Sequence, residues 1–302
     1  MVTQVVTGLV LVGLAGFAVA KPIPGVTLTS EIGMVNFGEI LRADGDLLVV
    51  ADGSKDEHRP LARIIRVKQG RLVEESRLLF RDGISGIGVS AGRVAIKLDT
   101  QRVAIYERGT AWTLVDTVTL EGGCRYTGDR GVELARDVLV IRGEEAICVY
   151  EKRARWKLTT TRPFTNAGNH HPVINGDRIA QRNFGARDGV RLSRRRGDTW
   201  ATEQDVPVGP DRQLQEIAIS ERWLAVATSS RNFDDYRVEL YALGSEVRHV
   251  VTLPSSQEIV DLAISNERLV VRGASDHQLY ELRGSWRSVG LVPGVAGHFS
   301  RV

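Results

Sequence analysis

Short runs of apolar residues recur along the chain directly after a charged turn, and they predict β-strands. Leu47–Val50 and Val138–Ile141 are two such runs. Both are apolar throughout instead of alternating, as expected for strands that are buried on two faces. The charged turn residue stands at positions 46, 93, 137, 177, 222 and 268, which gives spacings of 47, 44, 40, 45 and 46 residues. This regular spacing predicts a structural repeat.

A second repeated feature is a strand followed by a polar turn and a tryptophan. Trp112, Trp156 and Trp200 are each 44 residues apart, and Trp286 follows 86 residues later, close to two periods. One period holds four strand-like segments. In the second repeat they are Ile84–Ser90, Arg93–Leu98, Arg102–Glu107 and Thr113–Leu120. Four short strands in such a period are typical of propeller blades.

We therefore predict an all-β fold, a β-propeller of about six four-stranded blades. The predicted blades span residues 34–80, 84–120, 128–164, 168–208, 212–254 and 257–293. Residues 21–33 and 294–302 lie outside this count, and if the two ends combine into a further sheet, the count becomes seven. The recurring tryptophan is expected near the outer edge of each blade, where it fills the gap to the neighbouring blade.

The first twenty residues differ from the rest and predict a cleaved signal peptide over residues 1–20. This segment has no charged side chain and ends in Ala18-Val19-Ala20, a small-x-small pattern. The alternative is an uncleaved membrane anchor, but the apolar run is shorter than the roughly 20 residues that a span needs. We expect a single propeller domain over residues 21–302 that is secreted or held at the cell surface, with no stable membrane span after cleavage.

Composition limits the classes of partner and suggests one cross-link. The formal net charge of +3 is too small to indicate binding to nucleic acid. Cys124 and Cys148 are the two cysteines of the chain. In an oxidising compartment such a pair predicts a disulfide, and the alternative is two separate buried thiols.

The repeats resemble the degenerate FG-GAP-like repeats of secreted and surface bacterial propellers, which are distantly related to the integrin α-chain propeller. The resemblance depends on Phe37-Gly38, on the run Gly45–Val50, and on the Tyr-x-Arg/Lys…Trp pattern at 106–112 and 150–156. It implies an extracellular or periplasmic setting and a role in adhesion or recognition. Many such repeats carry an Asp-x-Asp-x-Asp-Gly calcium loop, which this sequence lacks. We therefore predict no metal and no cofactor.

A basic ridge is the first candidate ligand-binding site. Arg153 and Arg155, with Lys152 and Lys157, flank Trp156, and a second basic turn precedes the next tryptophan. The second turn contains Arg194, Arg195 and Arg196. Together these side chains could hold a sulfated or acidic polysaccharide or a phosphate. The alternative is a solvated turn whose arginines cover apolar surface with their stems.

His170 and His171, at the entry to the fourth predicted blade, are a second candidate for ligand binding. Adjacent residues on a strand point to opposite faces, so both histidines cannot easily ligate one metal ion. The alternative is a polar connecting segment.

The sequence contains no nucleophile motif or phosphate-binding loop, and its catalytic residues, if any, are unknown. Glu39, Glu133, Glu216 and Asp261 are carboxylates that could lie on inner strands. The leading hypothesis is an extracellular, non-catalytic recognition or adhesion propeller that binds a glycan or a protein partner. The alternative hypothesis is a secreted propeller hydrolase that acts on glycans or esters at the central channel. A third is a structural module of a larger surface assembly.

Overall fold

The computed structural model describes residues 40–52, 60–68, 71–90, 92–98, 102–125, 131–163, 171–184, 188–273 and 276–293. Over these ranges the chain forms twenty-four β-strands in six antiparallel sheets of four strands each. The fold is therefore all-β, and the six sheets are the blades of a β-propeller, as the repeat predicted. The one helical element in these ranges is a short 3-10 turn, Gly122–Cys124.

The chain divides into two compact units between Arg162 and Pro163, and the first unit contains three blades. The first blade consists of β1 Ile40–Asp44, β2 Leu47–Asp52, β3 Leu61–Lys68 and β4 Arg71–Leu79. The second consists of β5 Gly86–Ser90, β6 Arg93–Lys97, β7 Arg102–Arg108 and β8 Trp112–Thr119. The third consists of β9 Val132–Ala135, β10 Val138–Arg142, β11 Ala146–Lys152 and β12 Trp156–Pro163.

The second unit contains the other three blades. The fourth blade consists of β13 Val173–Asn175, β14 Arg178–Phe184, β15 Asp188–Arg196 and β16 Thr199–Pro207. The fifth consists of β17 Arg212–Ile219, β18 Trp223–Ser230, β19 Tyr236–Leu243 and β20 Val247–Ser255. The sixth consists of β21 Ile259–Ile264, β22 Arg268–Gly273, β23 Asp276–Arg283 and β24 Ser285–Pro293. Five of the six sheets fall within the predicted blade boundaries, and the fifth blade ends at Ser255, one residue beyond its predicted boundary.

The strands of each blade follow one another in sheet order as a simple meander. In the first four blades the tight turn between the first two strands contains a residue with positive φ, and glycine takes this position at Gly45, Gly92 and Gly176. Glycine adopts this conformation without a steric penalty. In the third blade the same turn contains Arg136, whose φ is 49°.

The apolar core of each unit lies between consecutive blades, because each blade has two apolar faces and its neighbours cover them. Strand β10 shows this directly, since its four apolar residues Val138–Ile141 are all buried. Buried residues from neighbouring blades share a cluster, as with Val49 and Ile96, Ile105 and Leu139, Leu192 and Leu224, and Leu240 and Leu269.

The fourth strand of each blade is called the outer strand here, and in four blades it begins close to the recurring tryptophan. Trp112, Trp156, Trp200 and Trp286 are each less than a tenth exposed. In five blades the outer strand also has a β-bulge at one repeated position, where an extra residue has no partner on the third strand. The bulged residues are Glu75, Val115, Glu203, Val250 and Val289. Bulges of this kind interrupt the free edge of a sheet.

Cys124 and Cys148 are joined by a disulfide with a Cα–Cα distance of 5.8 Å. The bridge ties the connection after the second blade to β11, and both cysteines are buried. The backbone approaches closely beside it, because a Cβ atom on Gly143 would lie 1.9 Å from the carbonyl oxygen of Gly123. Only glycine fits at this position without a shift of the backbone.

The sequence predictions at the two ends of the chain concern residues outside the described ranges. These are the signal peptide over residues 1–20 and the segments 21–33 and 294–302. Within the described part of the chain, no helix has the length and apolar character that a membrane crossing requires.

Candidate functional site

The junction between the first and second blades shows how a bulged residue can link two blades. Glu75 bulges from β4, and one of its carboxylate oxygens accepts hydrogen bonds from Arg66 at 2.9 Å and from Arg108 of the second blade at 3.0 Å. Its other oxygen accepts the indole N–H of Trp112 at 3.3 Å. Burial alone would raise the pKa of Glu75, but the hydrogen bonds from Arg66, Trp112 and Lys68 outweigh it and lower that pKa below 4.5.

The next junction, between the second and third blades, has a different bulged residue. Val115 occupies the bulge of β8 and Trp156 occupies the position of Trp112. Valine has no acceptor atom, and the buried indole N–H of Trp156 has no hydrogen-bond partner among the residues that the structure describes. The same relationship recurs in the second unit, where Val250 is the bulged residue and the Trp286 indole lacks a described partner.

A cleft of about 370 Å³ opens at this second junction. It is lined by Val115 and Asp116 of β8 and by Lys152, Ala154 and Arg155 of the β11–β12 hairpin. The lining is mostly polar, with two cations, one carboxylate and two small apolar side chains. We call this site the hairpin cleft. Its volume lies in the range of about 300–1,000 Å³ that is usual for small-molecule sites.

Lys152 is held at the edge of the hairpin cleft by an ion pair with Glu107 of the second blade. Glu107 also accepts a hydrogen bond from Arg93 at 2.6 Å. The hydrogen bond from Lys152 lowers the pKa of Glu107 and, together with the one from Arg93, outweighs the opposing effect of burial. The Lys152 ammonium is therefore fixed in place but already partly neutralised.

Asp116 is positioned by backbone groups instead of by a cation. One carboxylate oxygen accepts the N–H of Trp156 at 3.2 Å and the other accepts the N–H of Thr117 at 2.9 Å. Gln204 accepts the N–H of Val247 in the same way at the equivalent place in the second unit, at 3.4 Å. The contact is thus a repeated link between blades. Each Asp116 oxygen keeps a lone pair for a further donor.

Arg155 is the one cation of the hairpin cleft that is not neutralised. Its side chain is exposed, and it has no hydrogen-bond or ion-pair partner in the described part of the chain. Arg153, at the same hairpin, is also exposed, and its N–H donates to the carbonyl of Arg155 at 3.2 Å. A free guanidinium can bind a carboxylate or sulfate through two parallel, charge-assisted hydrogen bonds.

The second part of the predicted basic ridge lies in the other unit, on the β15–β16 hairpin. Its arginines are largely committed to neighbours within that blade. Arg194 pairs with Asp177 at 2.8 Å and with Glu203 at 3.7 Å, while the Arg195 side chain donates to the Gly197 carbonyl at 3.2 Å. Arg196 is exposed.

The remaining predicted site residues are only partly described. His170 lies outside the described residues, and His171 is half-buried just before β13. Among the residues with described positions, no group of three or more His, Cys, Asp or Glu side chains could hold a metal ion.

Two of the candidate inner-strand carboxylates form ion pairs with arginines. Glu133 on β9 lies 4.0 Å from Arg42 on β1, and Asp261 on β21 lies 3.9 Å from Arg272 on β22. Glu39 lies outside the described residues.

Sequence reasoning found the basic hairpin at 152–157 but missed the other wall of the hairpin cleft. Val115 and Asp116 belong to the preceding blade, about 40 residues away, and nothing in a linear pattern links them to Arg155. Aligning the outer strands of the repeats could have shown that Val115 stands where Glu75 stands one blade earlier.

Comparisons with known proteins establish the fold and no family. No family model matches the sequence, and no curated protein matches it. The resemblance to FG-GAP-like repeats therefore remains a prediction.

Solved propellers, in contrast, match most of the chain. The Pseudomonas aeruginosa periplasmic gluconolactonase PpgL is 15% identical with a TM-score of 0.58, covering 84% of this chain and 86% of that chain. A 6-phosphogluconolactonase candidate from Bacteroides uniformis is 9% identical with a TM-score of 0.59 over 83% of each chain. KlAtg21, solved in complex with the coiled coil of AgAtg16, is 12% identical with a TM-score of 0.63 over 85% of each chain. At these identities the likeness is one of fold alone.

Proposed function

We propose that the protein is a recognition propeller that binds an acidic glycan, and that the hairpin cleft is its binding site. The single observation that carries this proposal is the unpartnered Arg155 guanidinium beside the Asp116 carboxylate in a cleft of small-molecule size. A setting outside the cytoplasm belongs to the same proposal. It is supported by the Cys124–Cys148 disulfide and by the apolar segment over residues 1–20.

An acidic sugar combines the chemical groups that the hairpin cleft can receive. Its carboxylate or sulfate would accept two N–H groups from Arg155. Its hydroxyl groups would donate to Asp116, whose oxygens are held in place by two backbone N–H groups. Val115 and Ala154 offer a small apolar surface to the face of the ring. A simple inorganic anion would bind Arg155 but would be repelled by the negative charge of the Asp116 carboxylate.

The proposal is tested by isothermal titration calorimetry of the full chain with two probes, trigalacturonic acid and a heparin-derived hexasaccharide. The first carries carboxylates and the second carries sulfates as well. We expect binding of at least one probe, about tenfold or more weaker in Arg155→Gln, because a charge-assisted hydrogen bond contributes about 1.5–3 kcal/mol. Arg287→Gln is the matched control, since Arg287 is an exposed arginine beside the corresponding tryptophan of the sixth blade. Absence of binding to both probes would contradict the proposal.

Lactone hydrolysis is the second candidate function, favoured by the fold likeness to a gluconolactonase and to a 6-phosphogluconolactonase candidate. Its products would be sugar acids, which are the ligand class proposed for the hairpin cleft. The test is hydrolysis of glucono-δ-lactone, followed by acid release in weakly buffered solution with a pH indicator. Turnover that exceeds the spontaneous rate would favour the enzyme, whereas probe binding without turnover would favour recognition.

A further inference from the structure

The loop between β18 and β19 presents an aromatic side chain to solvent. Phe233 is 54% exposed, and all five residues of the loop, 231–235, are exposed. The other aromatic side chains with described burial are buried or half-buried, including all five tryptophans. Full burial of a phenylalanine side chain stabilises a fold by roughly 1.5–3 kcal/mol. Because Phe233 is exposed, it gains little of this stabilisation.

The backbone at Phe233 is also in a conformation that bulky residues avoid. Its φ is 59°, in the left-handed region, where an ordinary L-residue is disfavoured. Glycine would satisfy this turn without the steric cost, as it does at Gly45, Gly92 and Gly176 in the chain. Stability therefore does not explain why a phenylalanine stands at position 233. Residues in strained backbone conformations are characteristic of functional sites.

The loop around Phe233 is internally braced. Ser230 forms its hub, because the Ser230 hydroxyl accepts the N–H of Asp234 at 3.1 Å and its carbonyl accepts the N–H of Phe233 at 3.2 Å. The N–H of Ser230 in turn donates to the carbonyl of Asp235 at 2.8 Å, which closes the loop at its base.

Arg212 fixes the loop to the body of the blade. Its guanidinium, 8% exposed, bonds to the Asp235 carboxylate at 2.5 Å and to the Thr228 hydroxyl at 2.8 Å. Arg237 adds a second hydrogen bond to Asp235 at 2.9 Å. The phenylalanine is therefore presented by a framework that is ordered before any ligand arrives, which lowers the entropic cost of binding.

We propose that Phe233 is a stacking platform for the apolar face of a neutral pyranose ring. The C–H groups of a sugar ring carry slight positive charge and meet the negative face of the aromatic ring. The hydroxyl groups around the sugar then lie over polar neighbours, and Asn232 and Asp234 flank Phe233 on either side.

The surroundings of Phe233 favour a sugar over a protein or a membrane. A stable protein interface buries about 800 Å² per partner around an apolar core, and this loop offers a single apolar side chain among polar residues. A membrane-binding loop would carry several apolar residues with an excess of basic ones. Here Arg231 and Arg237 are balanced by Asp234 and Asp235. The site belongs to the second unit and does not depend on the hairpin cleft.

The test is calorimetric titration of the full chain with cellohexaose and chitohexaose as neutral probes. We expect binding of at least one of them, weakened tenfold or more in Phe233→Gly and retained in Phe233→Trp. Phe233→Gly should melt at the same temperature as the parent or higher, because it relieves the positive φ. Phe233→Asn also removes the aromatic ring, and asparagine tolerates the left-handed conformation. This second variant tests the proposal if Phe233→Gly does not fold. Val289→Ala is the matched control, since Val289 is half exposed on β24 of the same unit.

Three outcomes would overturn this inference. They are absence of binding to both neutral probes, binding that Phe233→Gly leaves unchanged, and sedimentation with phosphatidylcholine vesicles that Phe233→Gly abolishes, which would assign the loop to a membrane surface. Arg155→Gln is expected to leave neutral-probe binding unaltered. Failure of the acidic-glycan proposal would therefore be distinguishable from failure of the neutral-sugar proposal at Phe233.

Discussion

The indole N–H of Trp112 in the second blade donates to the carboxylate of Glu75 in the first blade, with an Nε1–Oε2 distance of 3.3 Å. One repeat later, Trp156 occupies the same position, but the bulged residue opposite it is Val115. The hydrogen bond is lost and the hairpin cleft lies at this junction. A difference between equivalent residues of two blades thus accompanies the loss of this hydrogen bond at the junction that has the hairpin cleft.

Val115→Glu should introduce at the second junction the carboxylate–indole hydrogen bond that Glu75 makes at the first. The new carboxylate would accept the orphaned Trp156 N–H and lie near Lys152, so we expect the free energy of unfolding to rise by about 1 kcal/mol. Because it would also fill the hairpin cleft, binding of the acidic probes should fall tenfold or more. Urea denaturation and calorimetry measure the two effects.

Val250→Glu is the matched control for this substitution. It adds a carboxylate at the equivalent bulge facing Trp286, whose indole N–H also lacks a described partner. It should stabilise the chain to a similar extent and leave acidic-probe binding unchanged. Equal loss of binding in both variants would show that the hairpin cleft is not the site.

Acidification should weaken the first junction through Glu75. Its folded pKa lies below the ordinary value of 4.5, so its ion pairs contribute fully above about pH 4.5 and are lost as the pH falls through the lower folded pKa. We expect the free energy of unfolding to decline below pH 4.5. Glu75→Gln should cost about 2 kcal/mol at pH 7 and should make the decline shallower. Urea denaturation at pH 7, 5, 4 and 3 gives both values, and an unchanged slope in the variant would contradict the assignment.

Reduction of the Cys124–Cys148 bridge should destabilise the third blade. The cross-linked residues are 24 positions apart, and the loop-closure entropy for such a separation corresponds to about 3 kcal/mol. Urea denaturation with and without a phosphine reductant measures this difference. The double variant Cys124→Ala/Cys148→Ala should be insensitive to the reductant. Mass spectrometry of the alkylated, unreduced protein should find no free thiol.

Arg136→Gly should stabilise the protein. Arg136 has a φ of 49° at the turn where Gly45, Gly92 and Gly176 stand in other blades. Relief of the left-handed conformation is worth about 1–2 kcal/mol, and the greater freedom of glycine in the unfolded chain offsets part of it. We expect the free energy of unfolding to rise by about 1 kcal/mol, as measured by thermal or urea unfolding.

The hydrogen bonds at this turn survive the change because they involve the backbone N–H and carbonyl of residue 136, bonded to Ser90 and Arg93. Arg222→Gly, at an exposed turn arginine without positive φ, is the control and should not stabilise.

Much of the fold could be read from local patterns in the chain. Apolar runs such as Leu47–Val50 and Val138–Ile141 indicate doubly buried strands, because burial on both faces removes the alternation of polar residues. Trp112, Trp156, Trp200 and Trp286 mark the start of the outer strand, because a large ring is needed where neighbouring blades diverge. The period of these signals was enough to predict about six four-stranded blades, with boundaries that contain every described strand residue except Ser255 at the end of β20.

The candidate site depends on contacts that no local pattern records. Arg155 could be recognised as part of a basic turn, but Asp116 and Val115 meet it only because consecutive blades pack face to face. Arg194 belongs to a similar basic turn, yet Asp177 and Glu203 partly neutralise it. Phe233 lies in a short loop of ordinary composition, and only its backbone conformation and exposure distinguish it. The chain by itself determined the repeat and the strands, which arise from short-range periodicity. Tertiary structure decided which charges remain free, because pairing depends on distances between blades.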